Sequence, residues 1–175
     1  MQTRGVHVRP ATAADVDTVL DLIRELAAYE REPDAVVATR QDLLRDGFGA
    51  TPRFGVLLAE VGVKRQRRVV GFALHCRAYS TWRGAPVLHL EDLFVRPADR
   101  GQGAGKALMR ALARMARDEG CARLAWQVLD WNVTARRFYE RLGATTLAQW
   151  VPMRMDGDVL AQLADGPASR PAARA

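Results

Sequence analysis

Three glycines at alternate positions, Gly101, Gly103 and Gly105, lie between two basic residues, Arg100 and Lys106. An apolar, strand-like run precedes them and a segment of helical periodicity follows. A glycine-rich turn between a strand and a helix can hold phosphate, because glycine lets backbone N–H groups approach the anion and the helix N-terminus carries partial positive charge. A purely structural turn is the alternative, although glycine costs about 1 kcal/mol relative to alanine inside a helix. These residue types therefore favour a phosphate-binding loop.

Two common phosphate-binding loops do not match this segment. A P-loop requires Gly-x-x-x-x-Gly-Lys-Ser/Thr, but Arg100 occupies the first glycine position and Ala107 occupies the Ser/Thr position. The dinucleotide fingerprint requires Gly-x-Gly-x-x-Gly, whereas the glycines here are spaced two apart. Residues 100–105 instead match the pattern Gln/Arg-x-x-Gly-x-Gly/Ala.

A second motif lies downstream, where Asn132 begins the run Asn-Val-Thr-Ala-Arg-Arg-Phe-Tyr-Glu-Arg-Leu-Gly. In this order, the two motifs resemble the pyrophosphate loop and the Asn-x-x-Ala-x-x-Phe-Tyr-x-x-x-Gly helix of the GNAT superfamily of N-acetyltransferases. The resemblance extends from residue 8 to about residue 145 and is greatest to the diamine (spermidine/spermine) and thialysine N-acetyltransferase branch. The segments that carry this narrower resemblance are residues 9–12, 25–27, 29–30, 42–44, 46–49 and 90–95.

The resemblance implies that acetyl-coenzyme A is the co-substrate and that a primary amine attacks its thioester. An alkylammonium has a pKa of about 10.4, so the amine must lose a proton before it can attack. By resemblance, Glu91 binds and deprotonates the amine and Tyr139 protonates the departing thiolate, while backbone N–H groups near residues 93–95 polarise the carbonyl. The implied cofactor-binding residues are Leu93, Phe94, Val95, Arg100, Gly101, Gln102, Gly103, Ala104, Gly105, Lys106, Asn132, Ala135 and Tyr139. The implied substrate-binding residues are Tyr29, Glu30, Glu91, Asp92 and Trp126.

Two features of the sequence limit the substrate assignment. Glu91 and Asp92 are adjacent on a predicted strand, where successive side chains face opposite sides, so we expect only one of them to point into a given cleft. For Asp92, a solvated or loop-pinning carboxylate is the alternative. The related branch has glutamates before its late tryptophan, but the run Thr-Leu-Ala-Gln before Trp150 has no acidic residue. A long polyamine would lose one anchor there, which favours a shorter diamine, a lysine-like amino acid or another small amine.

The elements that must position these residues alternate between strands and helices. The order strand, two helices, three strands, helix, strand, helix, strand predicts a single-domain α/β fold, a mixed central sheet flanked by helices. The predicted strands cover residues 6–9, 54–61, 69–78, 87–95, 123–129 and 147–155. The predicted helices cover residues 13–30, 39–47, 134–142 and 158–164, together with a long helix from the glycine loop to Gly120. We predict the N-acetyltransferase domain over residues 1–165 and a disordered tail over residues 166–175.

Composition excludes several other classes of protein. With 49% hydrophobic and 26% charged residues over 175 positions, the chain is not mainly disordered. Cys76 and Cys121 have no paired spacing, so we expect neither a disulfide framework nor a metal site. No apolar run approaches the length of a signal peptide or a membrane span, which predicts a cytoplasmic protein without a membrane partner.

Two other functions are weighed against an acetyltransferase: binding of nucleic acid and regulation by acyl-coenzyme A. The net charge of +6 permits an anionic partner, and basic residues recur at helical spacing at Lys106, Arg110, Arg114 and Arg117. Without interleaved aromatic residues, this stripe predicts a solvated helix face rather than a nucleic-acid site. A non-catalytic, regulatory acyl-coenzyme A-binding domain of the same fold is the second functional hypothesis, and the presence of both proposed catalytic side chains favours the enzyme. The resemblance also implies a homodimer.

Overall fold

The computed structural model describes residues 5–63 and 66–166. The chain divides into two compact units, residues 1–127 and 128–175, and each is described by itself. The disordered tail predicted over residues 166–175 lies, apart from Gly166, outside the described residues. The domain boundary at residue 165 stays a prediction.

In the described part of the first unit, five strands form one mixed sheet in the order β1-β2-β3-β4-β5. They are β1 (His7–Pro10), β2 (Gly55–Val61), β3 (Arg68–Ser80), β4 (Ala85–Val95) and β5 (Arg123–Ala125). Neighbouring strands are antiparallel from β1 to β4, and β5 is parallel to β4. The β4–β5 ladder covers only Val87–His89 of β4, so within the described residues the later half of β4 has β3 as a neighbour but is not paired with β5.

Two helices follow β1, and each begins at the capping signal that predicts it. A 3₁₀ turn over Ala13–Asp15 leads into α1 (Val16–Tyr29), and α2 covers Arg40–Phe48. The Thr39 N–H donates to the Asp42 carboxylate at 3.0 Å, and the Asp42 N–H donates to the Thr39 hydroxyl at 3.2 Å. These two hydrogen bonds satisfy the backbone N–H groups of Thr39 and Asp42, which the start of a helix would otherwise leave unpaired.

Helices cover both faces of the sheet in the first unit. Buried apolar residues of α1 and α2 pack against alternate residues of the central strands: Val56, Leu58, Phe72, Leu74 and Phe94. Strand residues that alternate with these, such as Leu57 and Ala73, point to the other face of the sheet and are also buried. The helix α3 (Ala104–Asp118) packs against β2, β3 and β4. Because strand side chains alternate between faces, α3 covers the face opposite to α1 and α2. The predicted α/β fold with helices flanking a mixed sheet is confirmed.

The described residues of the second unit contain two helices, α4 (Val133–Glu140) and α5 (Gly157–Asp165). The strand predicted over residues 147–155 is wrong, since no part of that segment is a strand. An apolar pattern becomes a strand only where a neighbouring strand completes its backbone hydrogen bonds, and no described strand pairs with this segment. The fifth predicted strand, over residues 123–129, ends early, at Ala125.

The sequence predicts no membrane span, and a helix that spans a bilayer must be both long and apolar. In residues 5–63 and 66–166, none of the helices combines the length and the apolar character that crossing a bilayer requires.

Candidate active site

A β-bulge in β4 carries the two adjacent carboxylates. Leu74 of β3 lies opposite Asp92, and the next residue of β3 lies opposite Leu90, so Glu91 has no partner in the register. Two residues of β4 therefore oppose one position of β3, and a bulge of this kind breaks the strict alternation of side chains. The expectation that only one of the two acids points into a given cleft rests on regular pleating, so at this bulge it stays a prediction.

Asp92 lies in an unfavourable environment for a charged carboxylate. Burial raises its pKa from 3.8 to about 6, and the negative charges of Glu91 and Glu30 add to this shift. Burial also raises the pKa of Glu30, which follows directly after α1. Asp92 is partly buried, so the solvated alternative does not hold. The three carboxylates form an acidic cluster in a chain whose net charge is +6, and a cation bound there would relieve their mutual repulsion.

Glu91, the predicted acceptor of the amine proton, is the most exposed of these acids, and 60% of its side-chain surface is accessible. Its Oε2 lies 3.3 Å from Nε2 of His89, two residues earlier on β4. Burial, together with the Glu91 charge, raises the pKa of the Cys76 thiol on the neighbouring strand. The contact with His89 is missing from the sequence analysis, although the spacing of two along a strand could have indicated it.

The glycine loop follows β4 through a 3₁₀ turn over Pro97–Asp99 and leads into the N-terminus of α3. Gly101 has φ +79° and Gly103 has φ +90°, a left-handed backbone that favours glycine. No atom lies within 4 Å of the position that a Cβ would take at either residue. The loop is thus open where side chains would project, and it leads into the N-terminus of a fifteen-residue helix. This construction fits the pyrophosphate of acetyl-coenzyme A.

Replacing Gly103 with Ala is expected to weaken coenzyme A binding about tenfold. A non-glycine residue at this φ costs about 1–2 kcal/mol, so the loop should move away from its phosphate-binding geometry. Isothermal titration calorimetry with coenzyme A measures the effect. Gly84→Ala is the matched control, because Gly84 has φ +60° and equally open surroundings but lies in the turn between β3 and β4. Equal losses of affinity in the two variants would contradict a ligand role for the loop.

The side chain of Arg100 does not extend along the glycine loop in this structure. Its guanidinium carbon lies 4.4 Å from the ring centroid of Tyr29 and 5.9 Å from that of Phe94, and its Nε donates to the Val95 carbonyl at 2.9 Å. Arg100 therefore joins the end of α1 to the end of β4. Two predicted groups, the substrate residues Tyr29 and Glu30 and the cofactor loop, are brought together through this side chain.

The remaining predicted residues lie elsewhere in the chain. Trp126 directly follows β5 and is half-buried. Asn132, Ala135 and Tyr139 belong to the second unit. There the Asn132 side chain caps α4 by accepting from the Ala135 N–H at 3.1 Å. The Tyr139 ring lies 5.2 Å from that of Phe138. The cofactor and acid roles of these residues stay predictions.

The sequence predicts no metal site, and the side chains that could form one are those of His, Cys, Asp and Glu. Where the structure describes the chain, no group of three or more His, Cys, Asp or Glu side chains is placed to hold a metal ion.

The sequence model of the Acetyltransferase (GNAT) family matches residues 18–144. Thialysine N-epsilon-acetyltransferase of Bos taurus is 40% identical over 166 residues, covering 91% of this chain and 97% of that protein. Spermidine/spermine N(1)-acetyltransferase-like protein 1 of Homo sapiens is 37% identical over 90% of this chain, which spans 24% of that longer protein.

Among solved structures, an integron cassette protein from the mobile metagenome of V. cholerae superposes with a TM-score of 0.75. It is 28% identical, and the match covers 92% of this chain and 98% of that one. Together with the glycine loop, the bulged strand and the family match over most of the sequence, these relatives show that the chain belongs to the GNAT family of acetyltransferases and is an enzyme that transfers an acetyl group to an amine.

Proposed function

We propose that this enzyme acetylates the primary amine of a small cationic substrate, a short diamine or a lysine-like amine, at the acidic cluster of Glu30, Glu91 and Asp92. The observation that carries the proposal is that Glu91 and Asp92 lie together at a bulge of β4 in a basic protein, and that Glu30, after α1, is near enough for its charge to act on Asp92. Each carboxylate attracts an ammonium group, and together they favour a substrate with a second positive charge. The names of the thialysine and spermidine/spermine relatives support an amine of this class.

The cofactor half of the site uses backbone groups. Acetyl-coenzyme A supplies the acetyl group as a thioester, and its pyrophosphate would be held by N–H groups of Gly101–Lys106 and by the N-terminus of α3. The β4 residues Leu93–Val95 pair with β3 on one edge and lie beyond the ladder with β5 on the other. Backbone N–H groups on that second edge would polarise the thioester carbonyl. Asn132 and Ala135 of α4 would line the arm of the cofactor.

The reaction that these residues would support is a direct transfer. Glu91 accepts a proton from the bound ammonium group, directly or through one water, and its exposed carboxylate leaves a path for that proton to solvent. The free amine nitrogen then forms a bond to the carbonyl carbon as the carbon–sulfur bond breaks, and the nitrogen releases its second proton to solvent. Tyr139 donates its phenolic proton to the thiolate that leaves, and the active form of the phenol is restored from solvent.

The neighbours of the acidic cluster define the substrate more closely. Glu30 and Asp92 are less exposed than Glu91 and would hold the cationic groups of the substrate. Trp126 would offer an aromatic face, which also attracts ammonium groups, whereas Tyr29 has Arg100 on its ring and would border the amine site. Because the run before Trp150 has no acid, a long polyamine gains no further contact of this kind. A homodimer is proposed from the resemblance alone.

A thiol-release assay with a panel of amines tests the proposal. Purified enzyme is mixed with acetyl-coenzyme A and, in turn, putrescine, thialysine, lysine, spermidine, an aminoglycoside or a peptide with a free N-terminus. We expect the highest kcat/KM with a small dication or a lysine-like amine. Glu30→Gln should raise the KM of that amine about tenfold with little change in kcat, because it removes one attractive charge.

The same assay separates the two functional hypotheses. Coenzyme A binding without turnover of any amine in the panel would favour the regulatory domain and overturn the proposed substrate class. Preference for spermidine over putrescine and thialysine would overturn the inference from the acid-free run before Trp150.

A further inference from the structure

Two arginines flank the turn that joins β4 to the glycine loop, and both reach α1. Arg96 binds the Glu25 carboxylate through Nε at 2.8 Å and Nη2 at 2.7 Å, and its Nη1 donates to the Val69 carbonyl at 2.9 Å. Arg100 lies over the ring of Tyr29, at 4.4 Å. Glu25 and Tyr29 are four residues apart on α1, so they share one face of the helix. We call these four residues the arginine clamp.

The contacts of Arg100 depend on the shape of its side chain as well as on its charge. The flat guanidinium lies against the Tyr29 ring while Nε donates to the Val95 carbonyl at 2.9 Å. Tyr29 in turn lies 6.3 Å from the ring of Phe94, the residue before Val95. A lysine at position 100 would keep the positive charge but lose the planar surface and the Nε donor.

The arginine clamp lies between the two halves of the proposed active site. Arg100 directly precedes Gly101, the first glycine of the loop, and Tyr29 directly precedes Glu30. The Glu30 charge acts on Asp92, since it contributes to the raised pKa of that residue. Arg100 therefore contacts the residue next to Glu30, and this contact connects the glycine loop with the acidic cluster.

We propose that Arg100 is a positioning residue that couples cofactor binding at the glycine loop to amine binding at the acidic cluster, through its contacts with Tyr29 and the Val95 carbonyl. The coupling to amine binding rests on the proposed function, whereas the link between the loop and α1 does not. Ordering of the loop by the cofactor holds Arg100 on Tyr29, and this fixes Glu30 for the amine. By thermodynamic reciprocity, the amine then strengthens cofactor binding by the same factor.

Four variants and one control test this coupling. Arg100→Ala removes the charge and the planar group, Arg100→Lys keeps only the charge, Tyr29→Leu removes the ring, and Tyr29→Phe keeps it. Arg110→Ala is the control, because it removes an exposed arginine from α3 without touching the arginine clamp. Melting temperatures identify any variant that fails to fold. KM and kcat for the amine are measured at saturating acetyl-coenzyme A, and coenzyme A affinity is measured by calorimetry.

We expect Arg100→Ala, Arg100→Lys and Tyr29→Leu each to raise the amine KM about fivefold to tenfold, within the usual range of coupling between sites, with kcat within about threefold. Arg100→Ala combined with Tyr29→Leu should be no worse than the more affected variant alone, while Tyr29→Phe should retain the coupling. The proposal is overturned if the two losses add. It is also overturned if only coenzyme A affinity falls and Arg100→Lys restores it, since that is the result for a charge that contacts phosphate.

A measurement without an amine separates failure of this proposal from failure of the proposed function. Hydrogen–deuterium exchange of residues 25–30 is followed with and without coenzyme A. We expect coenzyme A to slow exchange there in the wild type and in Arg110→Ala, but not in Arg100→Ala at saturating coenzyme A. An absence of protection in the wild type overturns the coupling even if amines are acetylated, and its presence supports the link even if every amine in the panel fails.

Discussion

Tyr139→Phe is expected to lower kcat about 100-fold while the coenzyme A affinity stays within about twofold of the wild type. General acid catalysis contributes about 100-fold to 10,000-fold, and a phenol with a pKa of about 10 can protonate a thiolate whose acid has a pKa of about 8.5. The substitution removes one hydroxyl group and keeps the ring that lies 5.2 Å from Phe138. Steady-state kinetics with acetyl-coenzyme A and the preferred amine, together with calorimetry, measure both quantities.

An acyl donor that needs no acid provides the control for Tyr139→Phe. With p-nitrophenyl acetate, the leaving group is a weaker base than a thiolate, so its departure depends less on a proton donor. The wild type and the variant should then differ by less than about threefold. If the kcat of Tyr139→Phe fell by the same factor with both donors, Tyr139 would have a structural role and would not be the acid. Unchanged turnover with acetyl-coenzyme A would have the same consequence.

The elements of this fold that sequence predicts well are those fixed by local chemistry. Thr39 and Asp42 cap α2 because the two residues lie three positions apart and complete each other's hydrogen bonds. The glycines before α3 take left-handed conformations, which their residue type favours. In both cases the determining contacts lie within a few residues along the chain, so the sequence contains the whole signal.

The features that the sequence does not predict are those whose geometry depends on distant segments. The bulge at Glu91 depends on the register between β3 and β4, which hydrophobic alternation along one strand cannot specify. The strand predicted over residues 147–155 fails for a related reason, because its pattern is typical of a strand but its formation requires a pairing partner.

The candidate site shows the same division between local motif and distant contact. The motif places Arg100 beside the glycine loop, and flanking charge suggests contact with phosphate. In the structure, the Arg100 guanidinium lies over the ring of Tyr29, which is 71 positions earlier in the sequence. A side chain with several rotatable bonds can reach either target, and only the packing of α1 against β4 decides between them. The motif thus places Arg100 at the loop but does not predict its contact with Tyr29.

Asp92→Asn is expected to stabilise the protein at neutral pH. Below pH 3.8 the carboxyl is protonated in the folded and the unfolded chain, and it costs nothing. Between pH 3.8 and about 6 the unfolded chain loses this proton while the folded chain keeps it, so the free energy of unfolding falls as the pH rises. Above pH 6 the cost is constant. The difference between a pKa of 3.8 and one of about 6 corresponds to at most about 3 kcal/mol.

Urea unfolding at pH 5, 6, 7 and 8 measures this pH dependence. The advantage of Asp92→Asn over the wild type should be about half its full size at pH 5 and nearly complete at pH 7. Asp21→Asn is the control, because Asp21 lies on α1 with 65% of its side-chain surface exposed. A variant that is less stable than the wild type, or whose advantage does not change with pH, would contradict the raised pKa of Asp92.

The same substitution should weaken amine binding, which explains why an unfavourable carboxylate is present at all. In the free enzyme at neutral pH, Asp92 is mostly ionised beside Glu91 and Glu30, and a bound ammonium group offsets their repulsion. The preferred amine should therefore raise the unfolding midpoint of the wild type more than that of Asp92→Asn, and its KM should rise about 10-fold to 100-fold in the variant. Equal stabilisation of both proteins by the amine would show that Asp92 does not face the substrate. The repulsion among these carboxylates destabilises the free enzyme and makes the site selective for cations. Asp92→Asn should therefore raise the stability of the free protein and lower its affinity for the amine.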